Sequence, residues 1–144
     1  MSQVLLDTNV VLDVLLDRKP HATASASIWA ACETGIAKGF LAAHALTTVH
    51  YLVARERGAA AARGVVASIL RVLRVAPVDA DTIQRALQLG WPDFEDAVTA
   101  AAAEATRCDW LITRDPGGFR NSPVTAVAPE AALPLLGERA KGRR

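Results

Sequence analysis

The sequence predicts an α/β fold with a mainly parallel central sheet. Short apolar runs at 3–6, 39–42 and 110–113 alternate with longer segments of helical period, which is the signature of strands joined by crossover helices. The first and third of these runs are continuously apolar rather than alternating, as strands covered on both faces must be. At 144 residues, 51% of them hydrophobic and 22% charged, the chain is of one-domain size and can bury a core without disulfides or a structural metal.

The elements follow in order. After the strand at 3–6, a helix is expected from about Val10, and the polar break Asp17-Arg18-Lys19-Pro20 ends it. Residues 22–33 form a second helix with Ile28, Cys32 and Ile36 spaced by four, and Gly35 suits its C-terminal cap. The strand at 39–42 leads into a helix through Leu46, Val49, Leu52 and Val53, interrupted at Gly58. Residues 59–73 repeat the helical period, with Val65, Ile69, Val72 and Leu73 on one face and Arg63, Arg71 and Arg74 on others. Val75 and Val78, around Pro77, mark a short extended connection, and 79–89 is a helix anchored by Ile83 and Leu87. Pro92-Asp93 opens a helix whose body, AVTAAAAEA, carries side chains small enough for close approach to its neighbours. The strand at 110–113 closes on the turn Arg114-Asp115-Pro116-Gly117-Gly118, a last strand is expected at 124–127, and Pro129 starts a terminal helix through Leu136. No internal repeat or linker divides the chain: a single domain is expected over 1–137, followed by a basic tail, 138–144, read as a solvated end.

Composition excludes several classes. No apolar stretch reaches the ~18 residues that span a bilayer, and no basic, cleavable leader precedes the first strand, so a cytoplasmic protein with no membrane partner is expected. Cys32 and Cys108 stand apart from each other and from any histidine cluster, which argues for small core residues rather than a zinc site or disulfide. A formal charge of +1 confers no global attraction to polyanions. No GxGxxG follows the first strand, and His21, His44 and His50 are scattered, so neither a dinucleotide fold nor a histidine-based triad is indicated.

The acids carry the chemistry. In parallel sheets ligands bind beyond the carboxyl ends of the strands, and Asp7 and Asp115 follow two of them. Carboxylates brought together there repel one another and are best satisfied by a hard divalent cation, although Arg114 could instead neutralise one of them. Asp93 and Asp96, three apart, share a helical face, while Glu95 lies about a hundred degrees round from Asp96. Each acid has a plainer reading. Asp93 suits an N-cap with acids in the first turn behind it, and Asp7 can cap the helix at Thr8 or Asn9. Their joint placement on independent parts of the chain is what points to a site.

Taken together, LLDTNVVLD, DFEDAVTAAAA and DWLITRDPGGFRNSP, in this order and spacing, make the chain resemble the PIN-domain family of metal-dependent ribonucleases, which includes VapC-like toxins. The resemblance implies a three-layer α/β/α sandwich whose acidic residues bind Mg²⁺ or Mn²⁺ and hydrolyse RNA phosphodiester bonds. It places Asp7, Asp96 and Asp115 at the family's catalytic and metal-binding positions, with Asp93 as a further metal-binding acid and Thr8, Asn9 and Thr113 in support. Many members carry a glutamate on the helix after the second strand, where this chain has Thr48. A subgroup with DFED in the third motif and no glutamate in the second resembles it more closely. Arg114, Arg120 and Asn121, nearest in sequence to Asp115, are the expected substrate-binding groups. The resemblance also implies a small antitoxin partner and a homodimer. The alternative is a PIN-fold module that binds RNA or protein without cutting. A phosphatase of the haloacid dehalogenase type is disfavoured because it needs a second Asp where Asn9 stands.

Overall fold

The structure, a computed structural model, describes residues 1–136; the basic tail at 138–144 lies outside the described residues. Five parallel strands form one sheet: β1 (Ser2–Leu6), β2 (Ala37–Ala42), β3 (Arg74–Ala76), β4 (Trp110–Ile112) and β5 (Ala126–Val127), in the order β3-β2-β1-β4-β5. β1 is central, and its register pairs Leu5 with Phe40 on one side and Leu111 on the other.

Side chains alternate across a strand, and here the alternation separates two cores. Val4 and Leu6 face the same way as Leu41 and Ile112, into a core completed by α1 (Thr8–Leu15), α2 (Ala22–Glu33), α3 (Ala43–Arg57), α4 (Ala59–Val72) and α7 (Pro129–Ala132). Leu5, Phe40 and Leu111 face the opposite layer, built mainly from α5 (Ala80–Leu89) and α6 (Phe94–Ala105). The result is the expected α/β/α sandwich. In α6, Ala97, Val98 and residues 100–103 are all buried, so methyl-sized side chains bring its backbone close to the sheet and to α5. Gly39 in β2 serves a similar close approach. A Cβ there would sit 2.6 Å from Cys32 Sγ and 2.6 Å from Leu73 Cδ2. Both cysteines are buried, as the reading of them as small core residues expects.

Several expectations are corrected. Ile83 and Leu87 do not anchor α5: they are 36% and 60% exposed, because the face turned to α6 is the adjacent one, carrying Thr82, Ala86 and Leu89 at spacings of four and three. Ile36 lies past the end of α2, after Gly35 at φ +84°, and is exposed. The extended connection near Pro77 is in part a strand, β3, paired with β2. The first helix begins at Thr8 rather than Val10, β5 is limited to two residues, and the terminal helix gives way to a 3₁₀ turn at Leu133–Leu135.

Candidate active site

β1 and β4 are neighbours, so their carboxyl ends deliver Asp7 and Thr113 to one place. Asp7 is both the end of β1 and the N-cap of α1, with Oδ1 accepting from Thr8 N at 2.8 Å. Oδ2 accepts from the fully buried Thr113 hydroxyl at 2.8 Å and lies 3.5 Å from Asn9 Nδ2. Thr113 Oγ1 also accepts from the backbone N–H of Asp115 at 3.1 Å. One hydroxyl therefore ties the two acidic strand ends together. Asp115 caps the 3₁₀ turn Pro116–Phe119, its Oδ1 accepting from Gly118 N at 3.3 Å.

The third acid arrives on α6. Asp93 is its N-cap, accepting from Asp96 N at 3.0 Å, so the capping reading of that residue is met by the structure. This same bond fixes the first turn and, with it, Asp96. Burial pushes the Asp96 carboxyl up to about 7, and the negative charges of Asp93, Asp7, Glu95 and Asp115 push in the same direction. Burial likewise raises Asp7 above the ordinary carboxylate range, against the lowering effect of its bonds from Thr113 and Thr8 and of His44. Glu95, expected to point away, still adds its charge to Asp96 and to His44.

His44, set aside as scattered in the sequence, sits at this edge. Its Nε2 is 3.3 Å from Thr99 Oγ1, whose single proton goes to Glu95 O at 3.0 Å. The ring's Nδ1 is buried and without a hydrogen-bond partner. Burial lowers the His44 pKa, opposed by Glu95 and Asp7. A histidine at the start of a helix that directly follows a strand end was the available signal. Thr48 stands one turn further along the same face of α3, half-buried.

The expected substrate groups divide. Arg114 is turned to the interior acid Asp13, Nε 2.8 Å from Oδ2, an ion pair by distance without hydrogen-bond alignment. Asp13 is fully buried and also receives Ser25 Oγ at 3.5 Å, so Arg114 compensates a core charge rather than one of the site acids. Arg120 and Asn121 instead line a cavity of about 530 Å³ together with Trp91, Asp93 and Asp96.

The donors suit a hard cation. They are carboxylate and neutral oxygens, the buried Asn9 Oδ1 has no partner, and the negative charge around Asp96 is uncompensated. Gly118 keeps the approach open, since a Cβ there would meet Asp115 Oδ2 at 2.7 Å and lie 3.8 Å from Asp96 Oδ2. Among the described residues, no three His, Cys, Asp or Glu side chains form a ready-made chelate.

Residues 3–116 match the PIN domain family. Among solved structures the fold is similar to that of DNA-bound VapBC from Salmonella typhimurium, with a TM-score of 0.70, 15% identity and coverage of 90% of this chain and 99% of the other. It is similar to VapBC2 from Rickettsia felis bound to a fragment of promoter DNA, at a TM-score of 0.67 and 15% identity over 88% of this chain and 98% of that one. VapC20 of Mycobacterium tuberculosis, a toxin cleaving the sarcin-ricin loop, aligns at a TM-score of 0.62 and 20% identity over 75% and 86% of the two chains. No curated protein sequence matches the chain. At these identities the likeness is one of fold.

Proposed function

The chain belongs to the PIN-domain family, and from that premise we propose that it is a metal-dependent endoribonuclease, the toxin of a toxin–antitoxin pair. The observation that carries the reading is the Thr113 hydroxyl, bonded to both Asp7 and Asp115, opposite an Asp96 whose carboxyl is pushed up to about 7 by burial and by surrounding acids. Isolated caps have no need of such a convergence. Asp7, Asp96 and Asp115 would hold Mg²⁺ or Mn²⁺, with Asp93 and Asn9 at the margin. The bound ion would polarise a phosphate oxygen and lower the pKa of a water.

The chain's own residues supply the orientation. Thr113 and Thr8 fix both oxygens of Asp7, Gly118 N and Thr113 fix the Asp115 segment, and the Asp93 cap holds Asp96 at the head of α6. With its carboxyl pushed up to about 7, Asp96 holds a proton part of the time near neutral pH, which relieves the repulsion among these acids. Asp93 and Glu95 supply the negative charge that Thr48 does not.

The toxin reading is supported by the similarity to DNA-bound VapBC structures and to a toxin–antitoxin complex from Klebsiella pneumoniae. It carries with it an RNA substrate, an antitoxin partner and self-association. Thr48 favours a second reading, a PIN-fold module that binds without cutting. The two are separated by incubating a labelled, structured RNA pool with the purified chain in Mg²⁺, in Mn²⁺ and in EDTA. Cutting that requires the ion and disappears in Asp7→Asn and Asp96→Asn establishes the nuclease; intact RNA at high protein concentration with either ion overturns it for that substrate class and leaves the binding module as the reading to pursue.

A further inference from the structure

The cavity of about 530 Å³, lined in part by Asp93 and Asp96, also joins groups that the cation chemistry does not use. Trp91 forms one wall, half-buried and packed against α6. Its ring is pinned by Phe119, which is itself 2% exposed, in an edge-to-face pair with centroids 5.7 Å apart and planes at 83°. Arg120 and Asn121, both exposed, bring a cation and an amide to the rim. Gly117 and Gly118 complete the lining, and a Cβ at Gly118 would meet both the Asp115 and the Asp96 carboxylates, so the cavity adjoins the acids.

We infer that this cavity is a base-binding subsite for the unpaired nucleotide next to the phosphate held at the acids. A rigid aromatic wall, an arginine for the backbone and an amide for a base edge are the elements by which proteins bind splayed-out bases of single-stranded RNA. A duplex cannot use them, because its bases are stacked on one another. The site thus selects loops and single strands, with Trp91 as the platform and Asn121 as the edge reader. This rests on the nuclease reading for the position of the phosphate, but base binding itself can be measured without cleavage.

The test uses the wild-type chain in EDTA, which withholds the ion that cleavage needs, with a labelled RNA either single-stranded or annealed to its complement and binding followed by anisotropy. Trp91→Leu, checked by circular dichroism, lowers single-strand affinity by roughly 10- to 100-fold, while Trp91→Phe keeps most of it and duplex binding is weak and indifferent to either change. As a second readout, adenosine titrated onto the wild-type chain quenches tryptophan fluorescence, and the quench is lost in Trp91→Phe. A folded Trp91→Leu chain that binds single strands like its parent overturns the subsite, as does a duplex bound as tightly as the single strand. Cleavage by the wild type with Trp91-independent binding would sink the subsite and leave the nuclease standing. Trp91-dependent binding without cleavage would do the reverse.

Discussion

Thr113 has no solvent exposure, donates to Asp7 and accepts from the Asp115 backbone. Replacing it by valine keeps the shape and removes both bonds, leaving a buried carboxylate short of a donor. Such a loss costs roughly 1–3 kcal/mol. Thr113→Val should therefore lower the melting temperature and abolish RNA cleavage, while Thr113→Ser preserves both; thermal denaturation beside the cleavage assay checks this. Asp96 yields a pH prediction of defined sign. Its carboxyl rises from the ordinary 3.8 to about 7 in the fold, so the folded chain holds the proton more tightly than the unfolded one. The stability this group contributes is complete below 3.8 and is lost as pH rises through about 7. Asp7, also raised, adds to the trend. In EDTA the melting temperature should fall across that window; Asp96→Asn should flatten the slope, and Mn²⁺ should restore stability on the alkaline side.

At the scale of elements, α6 is the part whose dimensions matter most. Ala100 is fully buried against the sheet core that contains Leu5, Phe40 and Leu111. Ala100→Leu overpacks that layer, with an expected loss of about 1–3 kcal/mol in a denaturant titration. Asp93 separates cap from charge: Asp93→Asn keeps the bond to Asp96 N and removes a negative neighbour, so it should be nearly neutral for stability and lower the Asp96 pKa, whereas Asp93→Ala loses the cap, about 1 kcal/mol. These elements were also the most legible in the sequence. Continuous apolar runs at β1 and β4, and a helix of alanines between capping signals, specify themselves locally. Ile83 and Leu87 misled because periodicity marks an apolar face without saying what lies opposite, and here the face that meets α6 is the neighbouring one, Thr82, Ala86 and Leu89. His44 had only its place after a strand end to mark it, since its neighbours Thr99 and Asp7 come from two distant segments. Arg114 could be read as a partner for an acid, but nothing local showed that the acid would be Asp13 inside the core.

For the molecule as a whole, the parallel sheet explains why acids so far apart in the chain meet. Asp7 and Asp115 leave adjacent strands in the same direction, and α6, packed across that sheet, brings its N-terminus to the same edge. The toxin reading predicts that expression of the chain arrests growth, that Asp7→Asn abolishes the arrest, and that co-expression of a short DNA-binding partner encoded beside it relieves the arrest; growth curves of the three strains check it. The most direct test of the central claim, that this edge is a divalent-cation centre, is a Mn²⁺ titration of the full chain followed by the electron paramagnetic resonance signal of the free ion. Saturable binding that weakens sharply in Asp7→Asn and Asp96→Asn is the predicted result. Free Mn²⁺ that rises in step with total Mn²⁺, or uptake unchanged by either substitution, would contradict it.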